Sequence, residues 1–215
     1  MTDPDVADRP KRRREATVER LLDAALETFA EIGFAAASVE DICRRGGFTR
    51  GAFYSSFRTK DELFAALFAR ETARQLARTE QQLEGIEQEA DPVAAAVARC
   101  LGTLRADRTW VLVHTEYRLH AARSPEAAAA LREHTATLNA RLTELITTAA
   151  DRTGLRLALP AGQLARIVLA LHDGLAVQQV VLADTAEAAD EGPGLEHTAF
   201  LLLLRSVVPG RTQPH

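Results

Sequence analysis

The chain has 215 residues, of which 47% are hydrophobic and 26% charged, the balance of an ordinary globular protein with material for a real core. Its two cysteines, Cys43 and Cys100, exclude a disulfide framework and a cysteine-based zinc site. The net charge of −4 conceals an asymmetry: residues 9–60 hold 11 Lys or Arg against 7 Asp or Glu, and residues 71–215 hold 14 against 18. This basic N-terminal part is a better guide to binding partners than the total charge.

Targeting signals are not evident in the sequence. The first ten residues are acidic and polar without an apolar run behind them, which is unlike a secretory signal. The longest apolar stretch of note, residues 199–204, is too short to span a bilayer. We therefore expect a cytoplasmic protein that does not act in a membrane. No catalytic group, metal site or cofactor is predicted.

The composition predicts an all-α fold of about nine helices, because Ala, Leu, Glu and Arg dominate and alternating β-branched runs are missing. The predicted domains are a disordered basic arm over residues 1–14, a first helical domain over 15–60 and a second helical domain over 61–215. From caps, glycines and apolar spacing, the helices are predicted to cover about 17–32, 38–46, 49–57, 59–85, 91–105, 108–122, 124–153, 160–183 and 195–208.

Two short helices joined by a tight turn follow the first helix. Ser38 and Asp41 have the spacing of a capping box, and Thr49 is a good N-cap for the next helix. Gly46 and Gly47 permit the chain to reverse between the two helices. Braced by the longer first helix, this is the pattern of a helix-turn-helix, whose second helix enters the major groove of DNA. The residues left exposed on that second helix are Thr49, Arg50, Gly51, Tyr54 and Ser55.

A set of residues at fixed spacing runs through residues 24–68, AALETFAEIGFAAASVEDICRRGGFTRGAFYSSFRTKDELFAALF. The set consists of Phe29, Gly33, Ser38, Val39, Ile42, Gly47, Thr49, Gly51, Phe53, Tyr54, Phe57, Lys60 and Leu63. With it, this fifth of the chain resembles the DNA-binding segment of the TetR family of transcriptional regulators; the rest matches only in plan. Cys43 and Gly46 stand where the family usually has Ala, and Gly46 is expected to loosen the turn.

The resemblance implies phosphate contacts for several side chains. Thr49, Tyr54 and Lys60 are expected to hydrogen-bond or pair with phosphates. Ser38 is expected to do so at a helix N-terminus, where free N–H groups and the helix dipole favour an anion. Gly51 weakens its helix but lets the backbone approach another surface closely, and a groove wall of DNA is the natural candidate.

Base recognition is assigned to Arg50, most simply through guanine O6 and N7, with Ser55 beside it. Arg44 and Arg45 are expected to contact the DNA backbone or to be plain surface. The basic cluster at residues 11–14 either follows phosphates, enters the minor groove or is a solvated tail.

The helix predicted over residues 108–122 has one face of large rings with hydrogen-bonding tips, which suits a pocket for a small molecule. The resemblance implies that residues 15–60 form a helix-turn-helix DNA-binding domain and that residues 61–215 form a helical ligand-binding and dimerisation domain with an inducer pocket. An interpretation of Trp110 as plain core stays open, and Glu116, which lies off this face, is interpreted as structural. The predicted ligand-contacting residues are Trp110, His114, Tyr117, His120 and, from a later helix, His172.

The last two predicted helices, over residues 160–183 and 195–208, are apolar on more than one side and must be covered. We expect them to pair with a second copy in a C₂ four-helix interface, which is the family's usual dimer. Two recognition helices would then meet DNA about 34–36 Å apart, which predicts a near-palindromic operator on double-stranded DNA.

Together these features predict a repressor that an unknown small-molecule effector releases from DNA. The ligand is expected to shift the helices over residues 91–122 and thereby lever the helix that starts at Lys60. A helical enzyme using His114, Glu116, His120 and His172 is one alternative, although His114 and His120 lack the i, i+4 spacing of a helical zinc pair. A ligand-independent regulator or an activator is another, which a collapsed core around Trp110 without a cavity would favour.

Overall fold

A computed structural model describes residues 4–104, 107–182 and 194–208, with side chains from residue 14 onward. The described residues contain no strand, and the all-α prediction is confirmed. A short 3₁₀ helix, Ile86–Gln88, lies between the fourth and fifth of their nine α-helices. The α-helices are α1 (Pro4–Ile32), α2 (Val39–Gly46), α3 (Arg50–Tyr54), α4 (Lys60–Gln82), α5 (Pro92–Leu101), α6 (Arg108–Ala121), α7 (Pro125–Thr153), α8 (Ala161–Leu182) and α9 (Leu195–Val207).

Helix α1 begins at Pro4, not near residue 17, so the prediction of a disordered arm over residues 1–14 is wrong for the backbone of residues 4–14. Proline suits the first helical turn because its missing N–H would find no acceptor there. Arg, Glu and Ala are good helix formers, and a run of like charge does not by itself end a helix. The side chains at positions 11–13 of the basic cluster, and most of the polar loop over 184–194, lie outside the described residues.

The chain divides into two compact units, Met1–Arg70 with Leu112–Leu131, and Glu71–Val111 with Arg132–His215. We call them the N-terminal unit and the C-terminal unit. This division differs from the predicted boundary at residue 60. The start of α4 and most of α6 belong to the N-terminal unit because their aromatic residues, including Phe64 and Tyr117, are buried in its core.

Within the N-terminal unit α2 packs against α1 and α3, and within the C-terminal unit α9 packs against α5 and α8. Both cores are built from apolar positions at helical spacing, which places one face of each helix out of water. Fully buried residues of the N-terminal core include Leu21, Ala25, Phe29, Ile42, Phe53, Leu63 and Leu67. Buried residues of the C-terminal core include Ile86, Val97, Leu164, Ala176 and Phe200.

Candidate functional site

The helix-turn-helix begins with a capping box at α2, as predicted. The Ser38 hydroxyl accepts a hydrogen bond from the Asp41 backbone N–H (3.1 Å) and donates to the Asp41 carboxylate (2.5 Å), which also accepts from the Ser38 backbone N–H. These bonds from Ser38 hold the pKa of Asp41 below its ordinary value of 3.8. The hydroxyl proton that a DNA phosphate would accept is therefore used within the cap.

The turn between α2 and α3 is closed by two adjacent glycines with different roles. Gly47 has a left-handed backbone with φ of 71°, which an L side chain rarely adopts. Gly46 is helical, but a Cβ there would lie 2.8 Å from Cδ2 of Phe48. The ring of Phe48 thus occupies the space of the missing methyl group and stacks under the guanidinium of Arg20, 4.8 Å from the ring centre. The turn expected to be loose is instead packed.

The exposed face of α3 is short and polar. Thr49 caps the helix, with its hydroxyl oxygen accepting the Ala52 N–H at 3.2 Å, so its hydroxyl proton can point outward. Tyr54 is 50% exposed. The Arg50 guanidinium lies 5.9 Å from the Tyr54 ring centre and forms an exposed ion pair with Glu40 (2.8 Å). An exposed pair contributes only about 0–1 kcal/mol, so Arg50 can leave Glu40 for a base edge at little cost.

No neighbour within the described chain requires a glycine at position 51. A Cβ there would make only an ordinary contact, 3.7 Å from the Thr49 hydroxyl oxygen. A glycine inside a helix lowers its stability by about 1 kcal/mol relative to alanine. The bare backbone at Gly51 therefore faces outward, where another surface can approach it.

Lys60, at the start of α4, lies against the loop between α1 and α2. Its ammonium donates to the carbonyl oxygens of Phe34 (2.5 Å) and Ala37 (2.8 Å) and sits 4.4 Å from the centre of the Phe34 ring. Burial lowers the pKa of Lys60, because desolvation disfavours the charged form. In the structure Lys60 therefore holds this loop closed, a role different from the predicted phosphate contact.

The C-terminal unit contains a partly open cavity of about 190 Å³. Helices α4, α5, α7, α8 and α9 supply most of its walls, which are made mainly of Leu, Val, Ile and Ala side chains. One polar group in the wall is His172 of α8, whose side chain is only 8% exposed and whose Nδ1 lies 2.9 Å from a carboxylate oxygen of Glu196. A concave apolar space with few polar groups is the usual form of a small-molecule site.

Comparison with known proteins agrees with both parts of this geometry. The model of bacterial regulatory proteins of the tetR family matches residues 21–67, and the model of the BetI-type transcriptional repressor C-terminal domain matches residues 89–191. The chain belongs to the TetR family. Two elements of this TetR-family chain, the helix-turn-helix and the helical body, are thereby recognised separately.

An uncharacterized HTH-type transcriptional regulator of Mycobacterium tuberculosis is 36% identical over 87 residues, which are 40% of this chain and 45% of that protein. The matched segment thus spans about half the length of that relative. Among solved structures, GusR of Salmonella enterica has a TM-score of 0.67 at 21% identity and covers 90% of this chain and 95% of its own. FadR of Bacillus subtilis, in complex with stearoyl-CoA, has a TM-score of 0.66 at 18% identity, covering 86% and 96%. The last two likenesses show the fold.

The remaining predicted DNA-contacting residues of this TetR-family chain have partners of their own. Arg44 is exposed and pairs with Asp41 at 3.0 Å, so it stays available at the surface. Arg45 instead pairs with Glu27 (3.5 Å) and with Glu31, so its guanidinium lies against α1. The Ser55 hydroxyl donates to the Ala52 carbonyl oxygen at 2.7 Å.

Three of the five predicted ligand-contacting residues lie in the N-terminal unit and do not line the cavity. Tyr117 stacks on Phe64 with ring centres 3.6 Å apart, and burial raises its pKa. His120 lies 3.1 Å from a carboxylate oxygen of Asp61, and His114 stacks on Phe68. Tyr117 is therefore buried in an aromatic core, and His120 is paired with Asp61 at the partly exposed edge of that core.

The other two predicted ligand residues belong to the C-terminal unit. Trp110 is buried at 7% exposure, its backbone N–H bonds to the Asp107 carboxylate, and its side chain does not line the cavity. His172 does line it. Most of the other residues that line the cavity are apolar, and their pattern in the sequence indicates only that they are buried.

Glu116 has a position consistent with the structural interpretation. Its carboxylate accepts the backbone N–H of Phe34 at 2.8 Å, immediately after α1 ends at a left-handed Gly33. Lys60 binds the carbonyl of the same Phe34 residue. We call this pair of contacts the loop clamp: α6 and α4 hold the chain that leads into α2.

Proposed function

We propose that this chain is a cytoplasmic, homodimeric transcriptional repressor that leaves a near-palindromic operator when a small molecule enters the C-terminal cavity. The observation that carries the proposal is the exposed face of α3, with Thr49, Arg50 and Tyr54 presented on a capped helix-turn-helix. Family membership supports it, since the relatives are regulators that act on DNA and not enzymes.

On DNA, Thr49 and Tyr54 contact phosphates and fix the register, while Arg50 exchanges Glu40 for a base edge in the major groove. Gly51 lets the start of α3 approach the groove wall. Arg44 contacts the backbone from the end of α2. Phosphate contact by Ser38 and Lys60 requires each to give up bonds made within the unit.

The dimer forms through α8 and α9. Their exposed apolar residues include Val181, Leu195 and Leu202, at 72%, 67% and 66% exposure, an apolar surface that water disfavours. Of the described helices, α8 also meets the length and mean-hydropathy requirement of a membrane span. It packs against α9 and lines the cavity, so we assign its remaining apolar face to a second copy of the chain rather than to lipid.

Release follows from the course of α4. The helix starts at Lys60 in the DNA-binding unit, and its later residues Gln75, Leu76 and Thr79 line the cavity. A ligand that fits the cavity better in one position of α4 shifts the population toward that position, typically with about 1–3 kcal/mol of coupling. That FadR of Bacillus subtilis is solved with stearoyl-CoA supports ligand binding within this fold.

No observation among the described residues supports the alternative of a helical enzyme with a histidine-based active site. His114 stacks on Phe68, His120 pairs with Asp61 and His172 pairs with Glu196, so each is engaged at a different place. Among the described side chains, no group of three His, Cys, Asp or Glu residues is arranged to hold a metal ion.

The deciding experiment is selection of bound sequences from random duplex DNA at one fixed salt concentration, with wild type, Arg50→Ala and Arg78→Ala in parallel. Arg78 is an exposed arginine of α4 and controls for the lost charge. We expect a palindromic motif with half-sites about 10–10.5 base pairs apart or a multiple of that spacing. Arg50→Ala should relax one base position in each half-site by about 1–3 kcal/mol, while Arg78→Ala retains the motif. If folded wild-type protein enriches no motif, the proposal fails.

A further inference from the structure

We propose that the cavity of the C-terminal unit takes a neutral, mainly hydrocarbon molecule with a single hydrogen-bonding group near His172, and that it rejects the corresponding carboxylate. The binding preference follows from the cavity alone. Its regulatory meaning rests on the function proposed above.

The walls carry no compensating charge for an ionic ligand. Among the described lining residues there is no Lys, Arg, Asp or Glu. The long helix α7 contributes Leu138, Leu142 and Ile146, and α9 contributes Phe200 and Leu204. An ion moved from water into such a space loses its hydration without gaining a partner, whereas an alkyl chain gains from the transfer.

Most polar groups of the wall are already satisfied. The Thr79 and Thr103 hydroxyls bond to each other at 2.8 Å, and Thr103 donates to the Cys100 carbonyl oxygen at 2.7 Å. The Thr153 hydroxyl donates to the Ala149 carbonyl oxygen at 2.7 Å. Burial raises the pKa of the Cys100 thiol to about 11, so it stays neutral at pH 7. These groups offer a ligand contact area rather than charge.

His172 and Glu196 set the preference at the polar end. The bond between His172 Nδ1 and the Glu196 carboxylate occupies one ring nitrogen and leaves Nε2 to bond a ligand. The Glu196 side chain is only 15% exposed, so its negative charge is poorly screened. This charge would repel a ligand carboxylate placed at His172, whereas a neutral hydroxyl group could donate a hydrogen bond to Nε2.

Cavity size limits the ligand. An engineered cavity of about 150 Å³ in another protein holds benzene, with six carbon atoms. By proportion, the 190 Å³ available here holds roughly eight non-hydrogen atoms. Each added methylene should tighten binding about fourfold until the cavity is full.

The test is calorimetric titration of the full chain with 1-alkanols of increasing length and with octanoate at pH 8. We expect affinity to rise about fourfold per methylene and to level off between 1-heptanol and 1-octanol, which have eight and nine non-hydrogen atoms. Octanoate should bind at least about tenfold more weakly than 1-octanol, in line with the cost of burying an unpaired charge. Equal affinity for the two, or no increase along the alcohol series, would overturn the proposal.

Variants locate the site. Ala149 lines the cavity, and Ala140 is an exposed residue of the same helix that does not. Ala149→Phe should abolish 1-octanol binding, and Ala140→Phe should leave it unchanged; equal behaviour of the two contradicts the assignment. Glu196→Gln should narrow the preference for 1-octanol over octanoate by about tenfold, and an unchanged preference refutes the role of Glu196. The comparison of wild-type ligands needs no variant and stands if one fails to fold.

The outcomes also separate this proposal from the one before it. Binding of 1-octanol is measured without DNA. Recovery of an operator together with no alkanol binding defeats only the cavity inference. The expected alkanol series together with no enriched DNA motif leaves the cavity inference standing and defeats the repressor proposal.

Discussion

The role of Lys60 gives a prediction in which two possible tasks of one side chain produce different measurements. The ammonium binds the carbonyl oxygens of Phe34 and Ala37. Lys60→Met keeps most of the aliphatic stem but removes the charge and all three donors. If the loop clamp is the main task of Lys60, the variant should lose stability. If phosphate contact is the main task, it should lose salt-dependent DNA affinity instead.

The expected loss can be worked out from the two carbonyl contacts. A hydrogen bond to a charged group contributes about 1.5–3 kcal/mol, and the lower end applies because Lys60 is only half-buried and water can replace part of each bond. Allowing for that replacement, Lys60→Met should lower the free energy of unfolding by about 2 kcal/mol. For a protein of this size the shift in Tm is roughly 4–8 °C.

The assay pairs thermal unfolding, followed by circular dichroism, with DNA titration over a range of salt concentrations. Arg78→Met is the control, because it removes one positive charge from an exposed position of the same helix. We expect only Lys60→Met to lower Tm, with the salt dependence of DNA binding close to that of wild type. A phosphate role would lower the slope by about 0.9 for each lost contact. A Lys60→Met protein as stable as the control, with a shallower slope, refutes the loop clamp.

Three further predictions address the helix-turn-helix. Gly46→Ala places a Cβ 2.8 Å from Cδ2 of Phe48. The overpacking costs about 1–3 kcal/mol and the gain in helix propensity offsets about 1 kcal/mol, so the free energy of unfolding should fall by about 1 kcal/mol in urea denaturation. A more stable variant would contradict the packed turn. Tyr54→Phe should weaken operator and random DNA alike, by roughly 2–10-fold in fluorescence anisotropy, and unchanged affinity excludes the phosphate contact. In wild type, the contribution of ionised Asp41 is present above pH 3.8 and is lost as the pH falls through its lower folded-state pKa. Ser38→Ala should raise the Asp41 titration toward 3.8 in carboxyl NMR, and an unshifted titration argues against the capping box.

The helix-turn-helix could be predicted because its signals are local. A capping box needs only Ser38 and Asp41, three residues apart, and a left-handed turn needs only a glycine such as Gly47. The start of α1 could not be predicted in this way. A charged, polar terminus is compatible with disorder, while the helix propensity of Arg, Glu and Ala favours a longer helix, and the sequence pattern does not decide between them.

The loop clamp gives no local signal. Lys60 and Glu116 act on Phe34 from 26 and 82 residues away. A lysine in a helical N-terminus next to a DNA-binding motif favours a phosphate contact, and only the folded chain shows that its ammonium faces carbonyl oxygens.

The difference between the predicted pocket residues and the lining of the observed cavity has a related cause. The spacing of Trp110, Tyr117 and their neighbours identifies one face of α6, but spacing does not say what that face contacts. Its polar tips find partners within the N-terminal unit, such as Asp61 for Tyr117. The cavity, in contrast, is a space left between apolar residues of five helices. Such residues have the same pattern whether their helices pack tightly or leave a void, so only His172 could be singled out.

The loop clamp also bears on how this regulator can be recombined with others. Residues 1–60 contain the whole helix-turn-helix. One of the two contacts that hold the Phe34 backbone, however, comes from Glu116, which lies far along the chain. A chimaera joined at residue 60 would combine the loop of this chain with α6 of another regulator. The Glu116 contact that supports the loop before the helix-turn-helix would then be lost unless the other α6 supplied an equivalent carboxylate. An exchange that transfers residues 1–70 together with 112–131 moves the unit intact. The portable DNA-reading module of this chain is therefore discontinuous in sequence.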